Sequence, residues 1–485
     1  MDAGHDPGQK SLQFSAATYP SMSPACCLDA ALLRRYDVPG PRYTSYPTAP
    51  QFREDFGEEQ LRRWAWRSNV QATPHPLSIY VHIPYCHSPC FYCGCNRRIS
   101  RNSHDGDHYV ERLLQEIRLV APLFDARREV IQLHLGGGTP NFLRPPQLTR
   151  LLAGIARGFR LSRAPDRDFS IELDPRLICD GDIEALAQLG FNRVSLGVQD
   201  FDARVQEAIN RFQSVDQTLA VIEACRLSGM RSINLDLIYG LPLQTTAGFG
   251  RTLDTVIAAR PERIAVYGYA HLPQLFKAQR QIVAAELPGP EARLALLQLA
   301  VERLGAAGYQ YIGMDHFALA HDELARAQES GGLHRNFMGY TTHAGCDLIG
   351  LGASAISHIS NSFSQNHRQV SDWQAALDRN HLPVARGLEL DADDLLRADI
   401  IQQLMCAGEI DVDSIERRHS IVFSEYFSAA LQQLQPLIAD GLVVVEPSRI
   451  RATTTGRFLL RIIAMCFDRY LKPAVATVSR FSRAV

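Results

Sequence analysis

From Leu77 to about residue 270 the chain repeats one pattern, in which a short β-rich run is followed by a longer helical run. The β-rich runs are LSIYVHIP, EVIQLHLGGG, DFSIELDP, RVSLGVQ, SINLDLIYGLP and RIAVYGYAHLP. Runs such as YVERLLQEIRLVAPLF and TLAVIEACRLSGM lie between them, with apolar residues at helical spacing. Helical connections of this length join parallel strands, because antiparallel neighbours need only short hairpins. The sequence therefore predicts an α/β fold with a complete or partial (β/α)6 barrel.

Several predicted strands carry polar residues, although parallel strands covered by helices are usually apolar on both faces. Glu172, Gln199 and Asp236 are three of these residues, and they alternate with apolar neighbours. The plain alternative is a half-solvated sheet with a polar outer face, but the helical connections leave little of the sheet exposed. Because barrel sites lie at the carboxyl ends of the strands, we expect these three side chains at that rim.

The two ends of the chain differ from this repeat. Residues 1–30 are rich in Ser, Ala, Pro and Gly and lack periodicity. After about residue 360 the strand alternation stops, and helical runs with one small hairpin, LVVVEPSRIRAT, follow. We therefore predict a partly flexible N-terminal arm over residues 1–52, a catalytic barrel over 53–358 and a mainly helical C-terminal domain over 359–485. The arm is a candidate lid over the active site.

Composition excludes several classes of function. Fifty Lys and Arg residues against 52 Asp and Glu give a net charge of -2, so nucleic acid is not an expected partner. No run reaches about 18 apolar residues and no export signal is apparent, so we expect no membrane span and a cytoplasmic location. We also expect a monomer. Eleven cysteines without an export signal argue against disulfides and for a metal or catalytic use.

Four cysteines lie within ten residues, and three of them form the pattern C-x3-C-x2-C directly after the first strand. Cys86, Cys90 and Cys93 on one short loop can converge on one face of an iron–sulfur cube and leave the fourth iron without a protein ligand. The bland alternative is a structural zinc ion, for which Cys95 or His87 would complete the set. The cysteine motif alone leaves both alternatives open.

The cysteine spacing, with GGGTP at residues 136–140 one βα unit later, resembles the signature of the radical S-adenosylmethionine superfamily. A narrower resemblance, from about Leu32 to the C-terminus, is to the oxygen-independent coproporphyrinogen III oxidases (coproporphyrinogen dehydrogenases). The matching blocks are RYDVPGPRYTSYPTAPQF, YVHIPYCHSPCFYCGCN, LHLGGGTPNFL, IELDPR, SLGVQDF, NLDLIYGLP, YAHLP, YIGMDHFA, LHRNFMGYTT and GASAIS. The resemblance implies a partial (β/α)6 TIM-like barrel with a mainly α C-terminal domain.

The resemblance also implies roles for individual residues. Cys86, Cys90 and Cys93 would ligate a four-iron four-sulfur (4Fe-4S) cluster. A first S-adenosylmethionine would contact Tyr80, Gly137, Glu172, Gln199, Arg211 and Asp236, and a second would contact Tyr92, Gly138, Thr139, Ala270 and Ile356. Cys95, Tyr80 and His82 are the candidates for catalytic roles, and we expect Cys95 to stay off the cluster. The plain alternatives are a solvated charge for Arg211, a structural acceptor for Asp236, and core packing for Tyr80 and His82.

The implied reaction is anaerobic oxidative decarboxylation of the ring A and B propionates of coproporphyrinogen III to vinyls, which gives protoporphyrinogen IX in heme biosynthesis. A 5'-deoxyadenosyl radical would remove hydrogen from each propionate, with an electron donor for the cluster and an electron acceptor as further partners. The nearer alternative is a heme chaperone of the same superfamily, which binds and transfers heme without decarboxylation. The GCN extension, the block HRNFMGYTT and the long C-terminal domain favour the dehydrogenase. The remoter alternative is a zinc-stabilised scaffold.

Overall fold

The computed structural model describes residues 30–471, and the predicted flexible start of the chain lies almost entirely outside them. The strands are β1 (Leu77–Ile83), β2 (Tyr85–Cys86), β3 (Arg98–Ile99), β4 (Glu129–Gly137), β5 (Arg160–Leu161), β6 (Asp168–Leu173), β7 (Arg193–Gln199), β8 (Ser232–Tyr239), β9 (Arg263–Gly268), β10 (Tyr309–Gly313), β11 (His316–Leu319), β12 (His334–Asn336), β13 (Gly339–Thr341), β14 (Asp347–Leu351), β15 (Ile356–Ile359), β16 (Ser362–Asn366), β17 (Val384–Glu389), β18 (Glu409–Asp411), β19 (Val443–Val445) and β20 (Arg449–Ala452). The helices are α1 (Ala30–Tyr36), α2 (Glu58–Asn69), α3 (Ser103–Val120), α4 (Pro145–Gly158), α5 (Asp182–Gln188), α6 (Ala203–Ala208), α7 (Val215–Leu227), α8 (Thr246–Ala259), α9 (Pro290–Ala306), α10 (Glu323–Ser330), α11 (Val370–Asp378), α12 (Ala392–Ala407), α13 (Val412–His419), α14 (Phe423–Tyr426), α15 (Ser428–Ala439) and α16 (Leu460–Met465).

The helices around the barrel follow from local sequence. In α3, for example, the side chain of Asn102 accepts a hydrogen bond from the His104 amide and caps the first turn. Tyr109, Leu113 and Ile117 recur at a spacing of four residues, so they lie on one face of the helix and are buried in the main core. The apolar face therefore packs on the sheet and the polar face points away from it.

Most of the strands belong to one large sheet with the order β10-β11-β9-β8-β7-β6-β4-β1-β14-β15-β16-β17. The six predicted strands are β1, β4, β6, β7, β8 and β9, and they pair in parallel. The predicted α/β fold with parallel strands is confirmed. Antiparallel β11 flanks the parallel strands on one side and antiparallel β15 on the other, so the barrel is partial.

The sheet contains strands that the sequence did not reveal. The strand β14 adds a further parallel strand beside β1, and β16 and β17 extend the sheet past residue 359. The expectation of helical runs with a single small hairpin after about residue 360 was therefore wrong, and β16 was missed because its polar run SFSQN shows no apolar alternation. The position of the domain boundary itself stays a prediction.

A second core joins the N-terminal arm to the helices after residue 390. Tyr43 and Tyr46 of the arm are buried in it together with Ile312 and Met314 near β10 and with the C-terminal helices. The expected hairpin is β19–β20, and β18 adds a third strand to it. Between residues 30 and 471 no helix has the length and apolar character needed to cross a membrane.

Candidate active site

The three predicted cluster ligands line one cavity beside the end of β1. Cys86, Cys90 and Cys93 share this cavity with Thr139 and Arg211, among other residues. The start of the loop is fixed because β2, which ends at Cys86, pairs in parallel with β3. The Thr139 hydroxyl donates to Cys86 Sγ at 3.2 Å. The three cysteines therefore line one common cavity, as the ligands of a single cluster must.

Cys95 lies outside the residues that line this cavity. Its main-chain amide lies 3.4 Å from Cys93 Sγ, and its thiol hydrogen bond is the main cause that lowers the pKa of Cys93 to about 5. The same contact raises the pKa of Cys95 well above its usual value. Cys93 is thus suited to be a thiolate ligand, while Cys95 stays a neutral thiol. Within residues 30–471 no group of three or more His, Cys, Asp or Glu side chains has an arrangement that could hold a single metal ion.

The glycine-rich turn after β4 needs glycine at two successive positions. Gly137 has φ +114°, and a Cβ there would lie 2.5 Å from the His82 imidazole. A Cβ at Gly138 would lie 2.9 Å from main-chain atoms of Ile83 and Tyr85, and its amide donates to the Ile83 carbonyl at 2.8 Å. Only glycine lets this turn pack directly against the strand that precedes the cysteines.

Glu172 near the end of β6 is a carboxylate held by two donors. Its Oε2 accepts from the Gly137 amide at 3.1 Å, and its Oε1 lies 3.3 Å from His134 Nε2. Burial tends to raise the pKa of Glu172, but hydrogen bonds from His134 and Gly137 outweigh it and lower the pKa. His134, which Ser170 holds at 2.8 Å, is a site residue that sequence reasoning missed. Glu172 can therefore bind an ammonium group.

Arg211 is buried rather than solvated, so the alternative of a surface charge is wrong. Its Nη2 donates to the Gly197 carbonyl at 2.6 Å and lies 3.4 Å from Asp174, while its Nη1 lies 3.6 Å from Cys90 Sγ. Its Nε is buried without a hydrogen-bond partner among the described residues. Gln199 lies beside it at a bulge in β7, with φ +68°. The Arg211 Nε, a buried donor without a partner among the described residues, fits the carboxylate of a ligand such as S-adenosylmethionine.

Asp236 lies deeper than expected, in the middle of β8 rather than at the rim. It accepts from Ser195 at 3.0 Å and from Asn234 at 2.8 Å. Burial, followed by the charge of Glu172, raises the pKa of Asp236 to about 6. Both carboxylates line the same polar cavity inside the barrel. Gln199 and Glu172 do lie at the last and the penultimate residues of their strands.

Tyr80 and His82 of β1 contact each other. The Tyr80 hydroxyl lies 3.1 Å from His82 Nδ1, and the Tyr80 ring stacks on His134 at 5.8 Å. His82 Nε2 lies 2.9 Å from the Asn96 carbonyl. Burial raises the pKa of Tyr80 and lowers the pKa of His82, so both are neutral near pH 7. Their catalytic roles stay predictions.

Two residues predicted to contact a second S-adenosylmethionine are tied together by Gln279. This buried side chain belongs to the short 3₁₀ helix Lys277–Gln281. Its amide nitrogen donates to the carbonyls of Tyr92 at 2.8 Å and Ala270 at 3.1 Å, and its oxygen accepts from the Leu272 amide at 2.6 Å. Sequence reasoning missed Gln279, because its partners are main-chain groups that leave no motif.

Ile356 lies apart from those residues, at the start of β15 and outside the set that lines the cysteine cavity. The loop before it, residues 352–355, is held by α3. The Tyr109 hydroxyl donates to the His82 carbonyl and accepts from the Ala353 amide, both at 2.9 Å. Glu116 accepts from the Gly352 amide at 2.8 Å. The loop is therefore fixed against the end of β1.

Comparison with known proteins agrees with this geometry. Residues 80–256 match the Radical SAM superfamily, and residues 390–459 match the HemN C-terminal domain. The chain is 50% identical over 458 residues to the oxygen-independent coproporphyrinogen III oxidase of Pseudomonas aeruginosa, covering 94% of this chain and 98% of that protein. The Escherichia coli protein of the same name is 46% identical with the same coverage.

A solved structure extends the likeness to three dimensions. It is described as "Coproporphyrinogen III oxidase (HemN) from Escherichia coli is a Radical SAM enzyme", and it matches with a TM-score of 0.86 at 45% identity. The match covers 91% of this chain and 99% of that chain. The heme-chaperone alternative finds no support among these relatives. Membership of the radical S-adenosylmethionine superfamily implies a 4Fe-4S cluster and S-adenosylmethionine, and the chain belongs to the family of oxygen-independent coproporphyrinogen III oxidases.

Proposed function

We propose that this protein converts coproporphyrinogen III to protoporphyrinogen IX without oxygen, by oxidative decarboxylation of the ring A and B propionates in heme biosynthesis. The observation that carries the proposal is the shared cavity of Cys86, Cys90 and Cys93, which Arg211 also lines and Cys95 does not. The substrate follows from the names of relatives that match over nearly the whole chain.

The chain offers a partner for each part of the cofactors. The three cysteines would hold the cluster, and Arg211 Nε and the Glu172 carboxylate would bind the carboxylate and the ammonium group of S-adenosylmethionine. Asp236 would accept from ribose hydroxyls, and Tyr80, Gly137 and Gln199 would complete this first site. When bound, these cofactors supply an electron and a carbon radical that removes hydrogen from an unactivated carbon.

A second S-adenosylmethionine on Tyr92, Gly138, Thr139, Ala270 and Ile356 is part of the proposal. Three of these residues, Tyr92, Gly138 and Thr139, line the cysteine cavity. The Gln279 side chain hydrogen-bonds to the carbonyls of both Tyr92 and Ala270, which supports one binding surface that includes these two residues. Ile356 is the member with least support, because it lies outside that cavity.

The conversion is balanced if each reacting propionate loses a hydrogen atom, carbon dioxide and one electron, which leaves a vinyl group. The hydrogen atom goes to the carbon radical and the electron to a separate one-electron acceptor, while an electron donor reduces the cluster. Tyr80, His82 and Cys95 are proposed to position the substrate or to handle a proton. We also propose a cytoplasmic location, because a reducing compartment preserves free thiols. A monomer is the proposed oligomeric state.

The N-terminal arm is proposed to close the active site together with the C-terminal domain. The Tyr43 hydroxyl donates to Asp468 at 2.9 Å, and the Tyr46 hydroxyl accepts from the Arg469 amide at 3.1 Å. Arg461 also donates to the carbonyl of Pro41 at 3.0 Å. The arm and the C-terminal domain would therefore move as one lid.

The test is an anaerobic assay of the protein reconstituted with iron and sulfide. With a reductant and S-adenosylmethionine it should form methionine and 5'-deoxyadenosine, and with coproporphyrinogen III added it should form carbon dioxide and vinyl groups. Cys93→Ser is the matched inactive control. Vinyl formation that continued without S-adenosylmethionine would exclude the mechanism, and heme binding without any decarboxylation would favour the chaperone.

A further inference from the structure

Arg335 of β12 is a buried guanidinium without an ion-pair partner. It is 7% exposed, lies 4.8 Å from the centre of the Tyr340 ring, and pairs across the β12–β13 hairpin with that residue. Arg128, Arg193 and Arg211 are also buried, and each lies 2.5 to 3.4 Å from a carboxylate. Among residues 30–471 no carboxylate pairs with Arg335, and its Nε and Nη1 lack hydrogen-bond partners.

An unpaired guanidinium in such a place needs an explanation. Moving a cation out of water without an anion is unfavourable, so buried charges are normally paired. The cation–π contact with Tyr340 offsets only part of this cost. The remaining cost would be removed if an anionic ligand bound to Arg335.

Arg335 is not itself a lining residue of the polar cavity inside the barrel, but it packs on Tyr340, which is one. Tyr340 lines that cavity, which also contains Glu172 and Asp236. His316 lines it too, with its ring edge-on to Tyr340 at 5.4 Å. Burial, followed by the positive charge of Arg335, lowers the pKa of His316 to about 4, so this imidazole is neutral at pH 7. Arg335 is therefore the cation on this side of the cavity that lacks a counter-charge.

The carboxylate whose charge affects this region already has an ion-pair partner. Asp315 affects both His316 and Tyr340, but it forms an ion pair with Arg42 of the N-terminal arm. The Arg42 guanidinium lies 5.5 Å from the centre of the Tyr267 ring, and Tyr267 lines the same cavity. The arm thus neutralises Asp315, and Arg335 keeps no carboxylate partner among the described residues.

We propose that Arg335 binds a carboxylate of the porphyrinogen, and that this carboxylate belongs to a propionate that the reaction retains. The proposal rests on the proposed function, which gives the substrate four carboxylates. A guanidinium binds a carboxylate through charge-assisted hydrogen bonds. Loss of carbon dioxide draws electrons out of a carboxylate, so a guanidinium that stabilises the carboxylate would slow this loss. Arg335 is therefore suited to hold the substrate rather than to react with it.

The experiment compares Arg335→Met and Arg335→Lys with the exposed control Arg326→Met. Arg335→Met should raise the KM for coproporphyrinogen III about 10- to 100-fold and change kcat little, because a retained group is bound equally in the ground state and the transition state. The KM of Arg335→Lys should lie between those of the wild type and Arg335→Met, because lysine keeps the charge but loses the planar guanidinium. The substrate-free Arg335→Met protein should melt at the wild-type temperature or higher, because no ion pair is lost.

Each outcome decides the proposal. A wild-type KM in Arg335→Met, or a loss confined to kcat, would overturn it. A clear fall in the melting temperature of substrate-free Arg335→Met, together with a wild-type substrate affinity in Arg335→Lys, would show that Arg335 has a structural role instead. If the wild-type protein left coproporphyrinogen III unconverted, the proposed function would fail and this proposal with it. Normal wild-type turnover beside an unchanged variant KM would overturn the Arg335 proposal alone.

Discussion

The side-chain amide of Gln279 donates to the main-chain carbonyl of Tyr92 at 2.8 Å, although 187 residues separate them in the chain. Tyr92 lies between Cys90 and Cys93, so this bond ties the cysteine loop to the segment after β9. The same amide also holds Ala270, and Gln279 is 2% exposed. The loop that carries Cys90 and Cys93 is therefore held by a side chain from the segment after β9.

We expect Gln279→Leu to lower the free energy of unfolding by about 2 to 4 kcal/mol, because partly buried main-chain groups of Tyr92, Ala270 and Leu272 would lose their partners. Urea unfolding of the cluster-free protein measures this change. Gln281→Leu makes the same substitution at an exposed position and should have little effect. Equal unfolding midpoints for the two variants would show that Gln279 does not hold the loop.

Cys95→Ser should keep the iron and sulfide content of the reconstituted protein and lower vinyl formation. The reason is that Cys95 lies outside the cavity of the other three cysteines, and a fourth ligand would block the iron that S-adenosylmethionine needs. Cys86→Ser, Cys90→Ser and Cys93→Ser should each lose the cluster. Iron analysis after anaerobic reconstitution measures both effects. A Cys95→Ser protein as poor in iron as Cys93→Ser would make Cys95 a ligand.

Glu116 should make the stability of the protein depend on pH. Burial raises its pKa from 4.5 to about 7, so the folded protein holds this proton more tightly than the unfolded chain. The contribution is complete below about pH 4.5 and is lost as the pH rises through 7, by about 2 to 3 kcal/mol between pH 5 and pH 8. Glu116→Gln cannot titrate, so the difference in unfolding free energy between variant and wild type should change by that amount. A constant difference across this range would mean that Glu116 keeps its ordinary pKa.

Tyr43→Phe should lower the free energy of unfolding by about 1 to 2 kcal/mol, because it leaves the buried carboxylate of Asp468 without one donor. Hydrogen exchange in residues 37–47 should become faster in this variant, since the arm loses a contact with the C-terminal domain. Tyr36→Phe removes a similar bond to Asp440 at a more exposed position and should cost less than 1 kcal/mol. Exchange in the arm that stayed at the wild-type rate would argue against a coupled lid.

The sequence by itself determined the features that depend on neighbours along the chain. The six parallel strands follow from alternating β-rich and helical runs, and Gly137 and Gly138 follow from a tight turn that only glycine permits. The cysteine loop is also local, because its three thiols lie within eight residues. Resemblance over long blocks then indicated the family, which the comparisons confirmed.

Only the tertiary structure decided the features that join distant segments. The strand β16 lacks apolar alternation and is defined by its pairing with β15 and β17. Gln279 acts on main-chain carbonyls, and Arg335 differs from the buried Arg128, Arg193 and Arg211 in having no carboxylate beside it among the described residues. Hydrogen bonds to main-chain groups and the pairing of buried charges depend on which segments meet in space. The spacing of residues along the sequence does not predict which distant segments meet.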